Sequence, residues 1–275
     1  MNHLASTTLK LNSGALIPQV GLGVWQTPSG ATTRQAVRAA LDLGYRHVDT
    51  ARIYGNEADV GAGLLASGVP REQLFVTTKL WNDDQGYDRA LRAFDASLKR
   101  LGLEYVDLYL LHWPVAGQRL DSWRALERLH EEGRARSIGV SNFLVPHLDE
   151  LLAHAKHIPA VNQIELTPFL QRRDTRALCQ QHGIVVEAYS PLTHGQRLDH
   201  PVVAEIARRV GRSVAQVLLR WSLQHGHVVL PKSARPARIA ENGALFDFVL
   251  DDGAMKELDA LEEGLVTGWD PASQR

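Results

Sequence analysis

The stretch Ala90–Pro114, ALRAFDASLKRLGLEYVDLYLLHWP, holds one complete structural unit and sets the reading of the rest. Leu91, Phe94, Leu98 and Leu101 recur at the three-to-four spacing of one helix face. Gly102 then stands where a left-handed residue ends a helix. Tyr105–His112 follows as an apolar run, fit for a strand buried on both faces, and it ends on a polar residue, His112. The next unit repeats the pattern: Trp123, Leu126 and Leu129 lead to Gly133, and Ala135–Ser141 is the strand.

Outward from this unit the same rhythm covers the chain. The other strand-like runs are Val20–Trp25, Tyr45–Thr50, Leu74–Lys79, Ala160–Glu165, Ile184–Ser190 and His227–Lys232, most of them starting roughly 25–30 residues apart. The longer last gap carries an insertion around Thr193–His200. Thr32 with Gln35, and Ser213 with Gln216, read as capping boxes opening two of the helices. Strands alternating with helices require parallel pairing and right-handed crossovers. Eight such units in 275 residues predict a single-domain (β/α)8 TIM barrel over 1–275, with a doubly wound sheet as the rival. Thr8–Leu11 and Ala15–Ile17, around Asn12-Ser13-Gly14, predict an N-terminal β-hairpin capping the barrel bottom.

Composition removes several function classes. A net charge of −1 supplies no global field toward nucleic acid or membrane. The single cysteine, Cys179, rules out an intramolecular disulfide and the common zinc patterns, and it sits in a helical stretch as a small apolar residue. The histidine pairs His154/His157 and His225/His227 lack a convergent acidic set, so no metal is expected. No signal peptide and no long apolar span is legible, which predicts a cytoplasmic protein. Gly61-Ala62-Gly63-Leu64-Leu65-Ala66 matches a dinucleotide fingerprint, but it follows a polar, helical stretch instead of a strand. It is read as small residues allowing a helix to pack closely on the barrel.

Barrel active sites form where the strands end. Here the ends carry Asp49, Lys79, His112, Ser141-Asn142, Gln163 with Glu165, Tyr189-Ser190 and Lys232-Ser233. Tyr54 follows Asp49 on the loop leaving the same strand. A tyrosine is a poor acid near neutrality, but an adjacent ammonium stabilises its phenolate, lowers its pKa and eases proton donation. Lys79 could supply that ammonium, Asp49 could keep it charged, and His112 could orient a substrate oxygen. Each also has a structural reading, as an ion pair, a loop aromatic and a core histidine. Lys232, Arg235 and Arg238 form a basic cluster at the start of what reads as the last helix, suited to a phosphate dianion.

Gly44-Tyr45-Arg46-His47-Val48-Asp49-Thr50-Ala51 with Tyr54-Gly55-Asn56-Glu57 resembles the first signature of the aldo-keto reductases. Leu110-Leu111-His112-Trp113-Pro114, Ile138-Gly139-Val140-Ser141-Asn142 and Leu230-Pro231-Lys232-Ser233 resemble its other signatures. The resemblance runs from about Leu9 to Asp259 and, with Lys79-Leu80-Trp81-Asn82-Asp83, is greatest to the bacterial 2,5-diketo-D-gluconate reductase branch. It implies an NADPH-dependent reductase of aldehydes or ketones, working on a small-molecule substrate and as a monomer. It also implies Tyr54 as the acid, with Asp49, Lys79 and His112 completing a tetrad. Ser141, Asn142 and Gln163 would bind the nicotinamide carboxamide, and Tyr189 would stack on its ring. Ser190, Leu192 and Lys232 would lie near the phosphates. Ser233, Arg235 and Arg238 would surround the 2′-phosphate, with Glu241 and Asn242 near the adenine. Trp25, Trp81, Trp113 and Trp269 would line the substrate pocket together with His112, whereas Trp123 and Trp221 are expected to pack in the core. Two other functions fit a barrel with these residues: a lyase using Lys79 as a Schiff-base nucleophile, and a non-catalytic NADPH sensor.

Overall fold

The computed structural model describes residues 3–273, so the outermost two residues at each end of the expected 1–275 domain lie outside it. A short helix α1 (His3–Ser6) precedes a hairpin of β1 (Thr8–Lys10) and β2 (Leu16–Pro18), paired with Leu9 opposite Ile17. The alternating units then run β3 (Gly21–Gly23), α2 (Ala31–Asp42), β4 (His47–Asp49), α3 (Glu57–Ser67), β5 (Phe75–Leu80), α4 (Tyr87–Leu101), β6 (Val106–Leu111) and α5 (Arg119–Glu131). They continue with β7 (Ala135–Ser141), α6 (Val145–Leu152), β8 (Val161–Glu165), α7 (Arg173–Gln181) and β9 (Val185–Tyr189). After β9 come α8 (Pro201–Val210), α9 (Val214–Gln224), β10 (Val228–Val229), α10 (Pro236–Gly243) and α11 (Asp252–Asp259).

Strands β3 to β10 lie side by side in chain order and all pair in parallel. Parallel bridges Val20–Val229 and Gly23–Lys232 join the first strand to the last, so the sheet closes and the doubly wound alternative falls. The outer strand faces and the helices share one large apolar core, in which Trp123 and Trp221 are buried. A second apolar cluster fills the bottom of the barrel. Leu11 and Ile17 of the hairpin pack there with Phe75, Val161 and Val228 from the strand starts and with Leu108 and Leu110. Asn12 and Ser13 fasten the turn, by Asn12 Nδ2 to Pro159 O at 3.0 Å and Ser13 Oγ to Ser137 Oγ at 2.8 Å. This plug leaves the opposite, C-terminal end of the strands as the open face. Among the described residues no helix is long and apolar enough to cross a membrane, and no group of three or more His, Cys, Asp or Glu is placed to hold a metal.

Two local expectations are corrected. Thr32 does not cap α2: it lies inside the helix, which starts at Ala31 behind Gly30 at φ 94°, whose N–H is taken by Asp59 Oδ2 at 2.6 Å. The carboxylate takes the N–H of the capping residue, and no side chain caps the first turn. Ser213 does cap α9, with Gln216 reaching back to its N–H at 3.1 Å. The Lys232–Arg238 cluster opens α10, which is followed by α11 and is therefore not on the last helix.

Gly61 and Gly63 lie inside α3 and serve contacts between helices, not contacts with the sheet. A Cβ on Gly61 would sit 2.0 Å from the carbonyl oxygen of Leu101 at the end of α4, and one on Gly63 would meet Val37 of α2 at 2.9 Å. Gly61→Ala is expected to destabilise the protein by about 2 kcal/mol or more, because the clash outweighs alanine's better helix propensity of about 1 kcal/mol. Urea unfolding followed by circular dichroism measures this, and an unchanged midpoint would mean that α3 does not rest on α4 through this contact.

Candidate active site

The open face gathers the expected tetrad. β4 delivers Asp49 as its last residue, β5 delivers Lys79, and His112 follows the end of β6. Tyr54 closes a 3-10 turn, Arg52–Tyr54, that Gly55 terminates in the left-handed region at φ 68°. Asn56 locks the loop onto the barrel: its Oδ1 accepts from Thr50 Oγ1 at 2.8 Å and its Nδ2 donates to Val24 O at 2.9 Å. The fully buried Lys79 ammonium donates to Asp49 Oδ1 at 2.7 Å, to Thr50 O at 2.9 Å and to Tyr54 Oη at 3.3 Å. The His112 ring meets the Tyr54 ring edge-on, with centroids 5.8 Å apart.

Charge in this cluster follows from burial. Desolvation alone would lower Lys79, but the Asp49 charge and the hydrogen bonds outweigh it, so its pKa is raised and it stays an ammonium. Asp49 is raised by burial and drawn back by Lys79 and Gln163; with an ammonium at 2.7 Å it holds the negative charge. His112 is pushed well below the usual histidine range by burial and by Lys79, leaving a neutral imidazole that can donate one N–H. Tyr54 departs from the sequence-based expectation. Its phenol is raised, because burial outweighs the opposing pull of Lys79. Lys79 thus makes the phenol a better acid than burial alone would leave it, without bringing it below its ordinary value.

The residues expected around a nicotinamide converge on the ends of β7, β8 and β9. Ser141 Oγ donates to Gln163 O at 2.9 Å, Tyr189 Oη donates to Asn142 Oδ1 at 2.8 Å, and Asn142 Nδ2 donates to His112 O at 2.9 Å. Asn142 adopts φ 64°, a left-handed turn that asparagine tolerates. Gln163 Nε2 is committed to Asp49 Oδ2 at 2.9 Å and to Glu187 Oε2 at 2.7 Å, so its carbonyl is the end left to bind a ligand. Ser190 at φ 46° bonds His194 at 2.7 Å, and Leu192 is half-buried against the core. Across the bridge to β3, Lys232 and Arg235 are exposed, and their side chains form no hydrogen bond or ion pair among the described residues. Arg235 is the residue before α10, and Ser233 Oγ accepts its N–H at 3.1 Å. Arg238 pairs with Glu241 at 2.7 Å, and Asn242 is buried beside them.

The expected pocket aromatics divide. The Trp81 ring lies 5.3 Å from that of His112, and the Trp113 ring lies 6.0 Å from that of Trp269, so these join the mouth. Trp25 contacts His194, in the insertion after β9, at 5.4 Å. Glu165 is not a free mouth carboxylate. It binds the backbone N–H and hydroxyl of Thr267 and so docks the C-terminal segment on the rim. Two residues are not expected from the sequence: Glu187, a carboxyl wholly inside the barrel, and Asn56 as the latch of the Tyr54 loop. The signal for Glu187 was a charged residue at an inward register, two before Tyr189, in an otherwise apolar strand.

The chain is similar to known proteins over nearly its whole length. Residues 19–263 match the model described as the Aldo/keto reductase family. The chain is 50% identical over 264 residues to a glyoxal reductase of Bacillus subtilis, covering 96% of each chain. It is 50% identical over 281 residues to morphine 6-dehydrogenase of Pseudomonas putida, covering 97% of this chain and 95% of that protein. A mutant of Gox0644 solved in complex with NADPH superposes with a TM-score of 0.93 at 43% identity, covering 98% of both chains.

The buried ion pair yields a stability test. Lys79→Met leaves the Asp49 charge buried without a cation, at an expected cost of about 3–5 kcal/mol. Adding Asp49→Asn removes that charge and is expected to restore more than half of the loss. Equilibrium unfolding of the single and double variants checks this; losses that simply add would contradict the pairing.

Proposed function

The chain belongs to the aldo/keto reductase family, and on that premise we propose that Tyr54 is its general acid, assisted by Lys79, Asp49 and His112. The protein is an NADPH-dependent oxidoreductase that reduces carbonyl groups to alcohols. The observation that carries the assignment is the buried Lys79 ammonium shared between Asp49 and Tyr54 at the rim of the barrel.

The cofactor fits the residues present. Gln163 Oε1 and Asn142 Oδ1 offer acceptors for a carboxamide N–H, and Tyr189 supplies an aromatic ring beside them. The side chains of Lys232 and Arg235, unpaired among the described residues, suit the phosphates of NADPH together with the N-terminus of α10. Ser190 and Leu192 would lie along the pyrophosphate. Ser233 and Arg238 would hold the 2′-phosphate, with Glu241 and Asn242 at the adenine. When bound, NADPH supplies the hydride.

The remaining steps belong to the chain. The neutral His112 imidazole donates a hydrogen bond to the substrate carbonyl oxygen and orients it. Tyr54 passes its phenolic proton to that oxygen as negative charge develops, and Lys79 stabilises the phenolate left behind. Asp49 keeps Lys79 charged, which also removes the neutral lysine that a Schiff-base lyase would need. Trp81 and Trp113, with Trp25 and Trp269 at the edge, line the substrate pocket. The substrate we favour is a small polar aldehyde or ketone, such as a dicarbonyl or keto-sugar acid, as in the 2,5-diketo-D-gluconate reductase branch. In this reading the protein acts as a cytoplasmic monomer, its lone Cys179 buried.

NADPH consumption on a small dicarbonyl panel tests the acid. Tyr54→Phe is expected to lose about 10²-fold or more in kcat while still binding NADPH. Turnover equal to wild type would remove Tyr54 from the mechanism. Arg238→Gln is expected to raise KM for NADPH by about tenfold while changing KM for NADH little. Equal effects on the two cofactors would remove Arg238 from the 2′-phosphate site.

A further inference from the structure

Below the tetrad the barrel holds a second buried acid that the mechanism above does not use. Glu187 lies in β9, two residues before Tyr189, with no exposed surface. Gln163 of β8 is its register partner, and a single amide nitrogen bridges two carboxyl groups: Gln163 Nε2 donates to Glu187 Oε2 at 2.7 Å and to Asp49 Oδ2 at 2.9 Å. From β4, His47 Nε2 approaches Glu187 Oε1 at 3.7 Å while bonding Thr77 Oγ1 of β5 at 3.1 Å. Asp49 of β4, Lys79 of β5 and, beyond them, Tyr54 complete the titratable groups whose charges reach it. On its other flank β10 brings only Val228 into register. Glu187 Oε1 has no hydrogen-bond partner among the described residues.

Two carboxyl groups on one amide, in a dry interior with one ammonium, cannot both ionise cheaply. Lys79 touches Asp49, so Asp49 takes the charge and Glu187 the proton. His47 offers no second cation, because burial pushes it down to about 3. Burial and the neighbouring Asp49 charge push Glu187 up to about 8.

Building on the tetrad assignment, we propose that Glu187 is a positioning residue of the reaction: as a neutral carboxylic acid it accepts one N–H of Gln163, aims the other at Asp49, and so fixes Lys79 beneath Tyr54. Once ionised it adds a negative charge to the cluster and opposes formation of the Tyr54 phenolate. The buried acid therefore couples the geometry of the tetrad to its protonation.

The experiment compares wild type with Glu187→Gln, which keeps the acceptor and cannot ionise, and with Glu187→Leu, which loses the acceptor. In the cofactor-free proteins at pH 7, infrared difference spectra are expected to show the carbonyl band of a protonated carboxylic acid in wild type and its loss in Glu187→Gln. In alcohol oxidation with NADP+, Tyr54 must accept a proton as phenolate, so the rate rises as the phenol ionises. Wild-type Glu187 charges first and opposes that step; in Glu187→Gln the rising limb is expected to move to lower pH by about half a unit or more. Glu187→Leu is expected to lower kcat by roughly tenfold or more with less change in KM, as a mispositioned tetrad would. No lost infrared band together with coincident pH limbs overturns the proposal. Tyr54→Phe, run alongside, separates the two claims. If it retains turnover, the tetrad assignment fails, while the infrared comparison still reports independently on the Glu187 proton.

Discussion

A lysine ammonium with no exposed surface is the constraint around which this molecule is arranged. An unpaired charge there would cost several kcal/mol, so the fold must supply a counter-charge and acceptors for its three protons. Asp49, the Thr50 carbonyl and the Tyr54 hydroxyl do so from the adjacent strand and its loop. Those three acceptors come from one short segment, 49–54, and Asn56 fastens that segment to Val24. The Tyr54 phenol is thereby held in place by the same interaction that makes the lysine tolerable.

The polar interior has a limited depth. Beneath Asp49 and Lys79 lie Gln163, Glu187, His47 and Thr77, and beneath those the barrel turns apolar at Leu108, Leu110, Val161 and Phe75, with Leu11 and Ile17 of the hairpin below. The hairpin excludes water from the bottom and the strands exclude it from the sides. Low local dielectric strengthens every pairing in the polar layer and makes each unpaired proton consequential. The same dryness raises the Tyr54 phenol, so Lys79 acts against burial instead of against bulk water.

Much of this was legible in the chain. The eight runs, their closure into a barrel and the hairpin follow from periodicity and punctuation, and the family motifs mark Asp49, Tyr54, Lys79 and His112 before any coordinate is known. What escaped depends on contacts far apart in sequence. The Thr32 cap failed because α2 begins at Ala31, behind Gly30, whose N–H is held by Asp59 of another helix. The expected depressed phenol failed because a residue pattern gives neighbours and not burial. Glu187 passed unremarked because its meaning lies in Gln163 and Asp49, one 24 and the other well over a hundred residues away. The fingerprint-like glycines of α3 were recognised as packing residues, but their partners turned out to be Leu101 and Val37 of neighbouring helices.

The Asp49–Lys79 pair, taken as a unit, makes Tyr54 a stronger acid than burial alone would leave it. Ultraviolet titration of the Tyr54 phenol in wild type and in Asp49→Asn/Lys79→Met, each as the difference from the same protein carrying Tyr54→Phe, measures this effect. The phenol is expected to ionise at higher pH once the pair is gone. Ionisation at the same or a lower pH in the double variant would contradict it.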